Sequence, residues 1–170
     1  SSTSRGLGDV YKRQVMGVSG SGKSTLGIAL GKTLSIPFLE GDDFHPKANI
    51  DKMKSRTPLT DEDRKPWLVA LSKELLKHQS KGVILACSAL KASYRELLSN
   101  SSLKELPFWI YLDCDSEELK KRLVGREHFM PLDLLESQLE LLEEPKRALY
   151  LNNSQSINEM IEQIKRELNE

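Results

Sequence analysis

The sequence predicts an α/β domain built on a parallel sheet, and three observations carry that prediction. Two continuous apolar runs, Val83-Ile84-Leu85-Ala86-Cys87 and Phe108-Trp109-Ile110-Tyr111-Leu112, have the composition of strands buried on both faces. A helical pattern follows each run, and repeated β-α alternation builds parallel sheets. A glycine-rich loop, Gly17-Val18-Ser19-Gly20-Ser21-Gly22-Lys23-Ser24, stands between the short apolar remnant Val15-Met16 and a helical pattern, where a phosphate-binding loop follows a first strand. At 170 residues the chain has the size of one domain.

Residues 1–14 are polar and aperiodic, whereas a buried first strand is ordinarily a run of four to eight apolar residues. Val10 and Tyr11 are cut off from Val15 by Lys12-Arg13-Gln14. Residues 1–14 are therefore expected to be a foreign or mis-joined leader outside the native fold, with a single domain over 15–170. From Lys23 the apolar positions Leu26, Ile28, Ala29, Leu30 and Leu34 fit a helix, and 36–39 reads as a short strand. Residues 45–60 are polar and punctuated by Pro46 and Pro58. A helix is expected from Asp61 to about Gln79, with Pro66 near its start, where a missing N–H costs least. Helices over about 91–99 and 116–124 follow the two apolar strands, the second with Ser116 as N-cap ahead of Glu117 and Glu118. After a polar stretch at 125–131 come a helix over about 132–143, a weak strand at 148–151 and an amphipathic helix over about 156–168.

Composition excludes some classes of function. With 25 basic and 25 acidic side chains the net charge is +0, so no global field points to nucleic acid or an anionic membrane. Cys87 and Cys114 sit in or beside apolar runs and read as small buried hydrophobes rather than a disulfide framework. No secretory segment is evident and no apolar run approaches 18 residues, so the chain is expected to be soluble and cytoplasmic, without a membrane or nucleic-acid partner.

The loop at 17–24 matches Gly-x-x-x-x-Gly-Lys-Ser, whose glycines let successive backbone N–H groups converge on phosphates at a helix N-terminus. Average residue usage yields that pattern by chance in about one chain in a hundred of this length. Lys23 would bridge the β- and γ-phosphates of ATP, Ser24 would hold Mg²⁺, and Thr25 would extend the nucleotide site. The loop alone does not separate kinases from GTPase switches or motor ATPases. The guanine-reading Asn-Lys-x-Asp pattern is absent, and an acidic cluster with two polar inserts suits phosphoryl transfer to a bound small molecule.

Glu40-Gly41-Asp42-Asp43 closes the second strand, and period-two alternation would put Glu40 and Asp42 on one face. One carboxylate can take the proton of an attacking hydroxyl and another can hold Mg²⁺ through water. The bland alternative is a solvated acidic turn. His45, Asn49, Arg64 and Lys65 add donors suited to a polyhydroxylated acid, and Arg64 can grip a carboxylate bidentately. Singly, each of these reads more readily as surface charge or loop capping.

These residues resemble the gluconate kinase family. The likeness rests on Met16 to Ser24, Gly41-Asp42-Asp43-Phe44-His45-Pro46, Lys52-Met53, Pro58-Leu59-Thr60-Asp61, Asp63-Arg64-Lys65-Pro66-Trp67-Leu68 and Cys87-Ser88-Ala89-Leu90-Lys91. Tyr94-Arg95, His128-Phe129-Met130-Pro131 and Leu135-x-x-Gln138 continue it, over roughly residues 15–145. The resemblance implies a three-layer phosphate-loop kinase fold with a five-stranded parallel sheet in the order 2-3-1-4-5. It also implies an acceptor-binding insert at about 43–66 and a lid at about 125–132. It further implies ATP-dependent phosphorylation of the D-gluconate 6-hydroxyl, feeding the pentose phosphate route, by a homodimer. By analogy Asp42 is the catalytic base, His45 and Arg64 position gluconate, Arg126 meets the transferring phosphate, and Gln138 is a further acceptor contact. With Ser24, Glu40 would hold the metal. Lys91 and Tyr94 read equally as functional or as helix-surface and capping residues.

The chain departs from the family at three places. Glu40 stands where the family usually has Asp; the lid Gly125-Arg126-Glu127-His128-Phe129 is one residue shorter, leaving Arg122 and Arg126 both open as the phosphate contact; and the loop after Pro145 is shortened near the expected adenine position. The rival readings are a kinase for another polyol, sugar acid or shikimate-like acceptor, and a catalytically impaired nucleotide-binding homologue.

Overall fold

The structure, a computed structural model, describes residues 12–16, 21–99, 107–124 and 132–169. Five strands form one parallel sheet: β1 (Lys12–Met16), β2 (Phe38–Glu40), β3 (Val83–Ala86), β4 (Phe108–Asp113) and β5 (Leu149–Asn152), in the order β2-β3-β1-β4-β5. Seven helices are described: α1 (Lys23–Leu34), α2 (Lys47–Lys54), α3 (Asp61–Lys77), α4 (Ala92–Leu98), α5 (Ser116–Val124), α6 (Leu132–Leu141) and α7 (Ile157–Asn169).

Alternation along the central strands divides the core between two faces. Val83, Leu85 and Tyr111 pack with Trp67, Leu68, Leu71 and Leu75 of α3, Leu98 of α4, Leu119 of α5 and Leu135 of α6. Ile84, Ile110 and Leu112 face the other way, onto Leu26 and Leu30 of α1 and Met160, Ile161, Ile164 and Leu168 of α7. Each fully buried Leu or Ile contributes on the order of 2 kcal/mol. Gly27 sets how closely α1 lies on the sheet, because a Cβ there would sit 2.5 Å from Phe38 Cε1.

The sharpest correction to the sequence reading is at the N-terminus. Residues 12–14, expected to lie outside the fold, supply the first positions of the central strand. Lys12, Arg13 and Gln14 pair in register with Val83, Ile84 and Leu85 on one side, and Arg13 and Gln14 with Phe108 and Trp109 on the other. Strand pairing uses backbone N–H and C=O groups that every residue here carries, so it left no trace in the apolar pattern.

The polar insert also holds more structure than its composition announces. A single 3₁₀ turn, Gly41–Phe44, ends β2, and α2 follows with Pro46 at its N-cap. Asn49 is the buried residue of α2, so the helix has no apolar stripe to read. Pro66 lies inside α3 beyond its first turn, so its ring forfeits an intrahelical bond and not merely an orphan position.

Helix α3 begins with a reciprocal capping box: Asp63 N–H donates to Thr60 Oγ1 at 3.1 Å and Thr60 N–H donates to Asp63 Oδ2 at 2.9 Å. Lys52 of α2 donates to the same carboxylate at 2.7 Å, tying the insert to α3. Those bonds, Lys52's first and Thr60's second, pull the Asp63 carboxyl from its ordinary 3.8 down to about 2. A folded value below the unfolded one means that the stabilisation is complete above about pH 4 and fades as pH falls toward 2. Asp63→Asn is accordingly expected to lower the unfolding midpoint at pH 7 and to flatten its decline between pH 4 and pH 2. Parallel acid limbs for the two proteins in thermal melts would contradict this.

No helix among the described residues is long and apolar enough to cross a membrane. Cys87 is buried at 1% exposure and Cys114 is half-buried, and neither is joined in a disulfide among the described residues. Burial pushes the Cys87 thiol up to about 12, leaving it protonated and inert.

Candidate active site

The site lies where β2 and β3 end against the start of α1. Gly22 turns into α1 at φ 99°, in the left-handed region that glycine adopts without strain. The helix has no side-chain cap and no acidic residue in its first turn. Its N-terminal N–H groups and positive dipole end therefore remain available to an anion. Lys23, 8% exposed, stands beside them, and the Ser21 hydroxyl is buried with no partner among the described residues.

Ser24 Oγ donates to Glu40 Oε2, bringing together the two residues expected to hold a metal. The other carboxylate oxygen, Glu40 Oε1, is buried without a hydrogen-bond partner among the described residues. A hydroxyl beside an unsatisfied carboxylate oxygen is an all-oxygen donor set that fits Mg²⁺. No group of three or more His, Cys, Asp or Glu among the described residues is placed to enclose a metal.

Next to this pair opens a cleft of about 590 Å³, counting its mouth, lined by Lys23, Asp42, His45, Arg64, Trp67 and Gln138 among others. Asp42 reaches it by a different route from the one expected. β2 stops at Glu40, so period-two alternation does not extend to Asp42; the 3₁₀ turn over Gly41–Phe44 carries that carboxylate to the cleft.

Trp67 organises the wall. Its ring, 1% exposed, stacks on His45 at 4.2 Å between centroids and 14° between planes. Its indole N–H donates to the Gly41 carbonyl at 2.8 Å, bracing the turn that carries Asp42. A Cβ at Gly41 would lie 2.5 Å from the Ala86 carbonyl oxygen, so the close approach of this turn to β3 requires glycine.

His45 is oriented from behind. The Asn49 amide nitrogen donates to the Asp63 carbonyl at 2.8 Å and lies 3.1 Å from His45 Nδ1. An amide NH₂ can only donate, so Nδ1 accepts and the ring proton sits on Nε2. Burial lowers the His45 pKa, with Asp42 opposing and Arg64 adding to that shift. The ring is thus a neutral donor at pH 7. Arg64, 7% exposed, donates from Nη1 to the Leu59 carbonyl at 2.7 Å and to the Tyr94 hydroxyl at 3.3 Å.

Of the residues singled out from sequence, the structure gathers Lys23, Asp42, His45, Arg64 and Gln138 into one cleft and joins Ser24 to Glu40 beside it. Asn49 serves as the support of His45, and Lys65 and Thr25 are exposed. Gly17, Val18, Ser19, Gly20, Arg126 and the lid over 125–131 lie outside the described residues, as does the side chain of Arg122, whose backbone belongs to α5. Sequence reasoning missed Trp67, Ser88, Leu134 and Ser137 as lining residues. Two signals were available: Trp67 follows Arg64 by three residues on α3, and Leu134, Ser137 and Gln138 share one face of α6 at i, i+3 and i+4.

The chain matches the shikimate kinase family model over residues 19–169. It is 41% identical over 175 aligned residues to a gluconokinase of Arabidopsis thaliana, covering 91% of this chain and 93% of that one. It is 50% identical over 136 residues to a gluconokinase of Gluconobacter oxydans, covering 77% and 74%. The crystal structure of a gluconokinase from Sinorhizobium meliloti superposes with a TM-score of 0.82 at 40% identity, covering 93% of this chain and 91% of that one. An uncapped helix N-terminus, an acidic turn and a donor-lined cleft thus occur on this backbone, and the chain belongs to the gluconokinase family of phosphate-loop kinases, related to the shikimate kinases.

Proposed function

We propose that this chain transfers the γ-phosphoryl group of ATP to the primary 6-hydroxyl of D-gluconate. The observation that carries the proposal is the meeting of Lys23 and Asp42, donor and acceptor chemistry, in one cleft that also holds Arg64. The α1 N-terminus and Lys23 take the phosphates. Arg64 and the Nε2–H of His45 hold the carboxylate and hydroxyls of the acid. Asp42 accepts the proton of the 6-hydroxyl as its oxygen forms the new bond to the γ-phosphorus and the bond to the β–γ bridging oxygen breaks, releasing ADP. Ser24 and Glu40 would hold Mg²⁺, which supplies charge neutralisation on the phosphates when bound. Arg126 or Arg122, from the lid segment and α5, completes the phosphate contacts in this reading. The enzyme acts as a homodimer in the cytoplasm, and sedimentation would give the mass of two chains.

A coupled ADP-release assay over a panel of sugar acids, polyols and shikimate tests the substrate. D-gluconate is expected to be turned over best, and phosphorylation of another acceptor without gluconate would overturn the assignment.

A further inference from the structure

Behind Arg64 lies a chain of polar contacts that the reaction as described does not use. Tyr94, on α4 and 3% exposed, accepts from Arg64 Nη1 at 3.3 Å and donates its own proton to Asp61 Oδ1 at the start of α3. Asp61 also takes two bonds from Lys91, at 3.0 and 3.1 Å. The phenol ring lies under the guanidinium, with Arg64 Cζ 5.6 Å from its centroid. Nη1 carries two protons, and the Leu59 carbonyl and Tyr94 hydroxyl engage both. The donors left to meet a ligand in the cleft that Arg64 lines are therefore those on Nη2 and Nε.

We propose that Tyr94 is a positioning residue for the acceptor's carboxylate: its hydroxyl, turned by Asp61 to present a lone pair, fixes the Arg64 guanidinium so that its remaining edge faces the cleft. A phenol proton free to rotate could point at the cation and repel it. Asp61 removes that freedom, because a carboxylate can only accept. Burial and the bond to Asp61 push the Tyr94 hydroxyl up to about 12, so it keeps its proton throughout the working pH range. The Lys91–Asp61 pair, with side-chain exposures of 27% and 62%, contributes little stability itself and serves to hold the carboxylate in place.

This inference rests on the proposed sugar-acid reading, and Tyr94→Phe tests it while keeping the ring beneath Arg64. The variant is expected to raise KM for D-gluconate roughly tenfold, the scale of a lost hydrogen bond to a charged group. The KM for ATP should be unchanged and kcat should stay within about threefold. Preference for gluconate over D-glucitol, the uncharged alditol of the same length, should fall by the same factor. Asp61→Asn should shift the preference the same way by less. Arg64→Met should abolish it, and adding Tyr94→Phe to Arg64→Met should cost nothing further. A packing role would instead lower the melting temperature and affect both acceptors alike. An unchanged preference in Tyr94→Phe, or additive losses in the double variant, overturns the inference. Wild-type turnover of another acid in place of gluconate overturns the substrate reading alone, and the same comparison is then made on that acid. Turnover of no acid overturns both.

Discussion

Lys23→Ala is expected to lower kcat by about 10³-fold, equivalent to about 4 kcal/mol of transition-state stabilisation. Lys23 is buried at the open N-terminus of α1, where a charge acts through low dielectric rather than bulk water. Its position is costly to the folded state, since a cation at the positive end of a helix is disfavoured. Removing it should therefore leave the melting temperature unchanged or slightly raised while turnover collapses. Steady-state kinetics paired with thermal melts decide the matter. A large drop in stability would make Lys23 a structural residue, and near-normal kcat would remove it from the phosphate site.

Asp42→Asn removes a proton acceptor at constant size, and a general base is worth about 10²–10⁴-fold in rate. Asp42 is exposed on its 3₁₀ turn, so the variant should fold normally and bind both substrates. A second readout is independent of turnover. The Asp42 charge raises the His45 pKa against the effect of burial, so its neutralisation should move the His45 titration further down. Proton NMR of the imidazole would show this. Unaltered kcat in Asp42→Asn assigns the base elsewhere. An unmoved His45 titration means that the two side chains do not share the cleft.

The apolar strands β3 and β4 could be read from sequence because burial on both faces forces every side chain to be apolar. The α1 helix could be read because its glycine-rich approach has few other uses. Lys23, His45 and Arg64 were singled out by residue type and motif, and they line one cleft. Trp67 stood in the Asp63–Leu68 motif without an assigned role: its spacing from Arg64 hints at a shared face, but its bond to Gly41 joins residues 26 apart in sequence. The α2 helix was invisible because its one buried residue is Asn49.

By itself the sequence determined the chemistry available to this protein: a phosphate-binding loop, a carboxylate cluster and cationic donors, each set by residue type and spacing along the chain. The tertiary structure alone decided which carboxylate meets the cleft, how His45 is protonated, and that Lys12, Arg13 and Gln14 run through the centre of the sheet. Those outcomes depend on backbone pairing, on turn geometry at the end of a strand and on hydrogen bonds between residues distant in sequence, none of which leaves a periodic trace in the order of side chains.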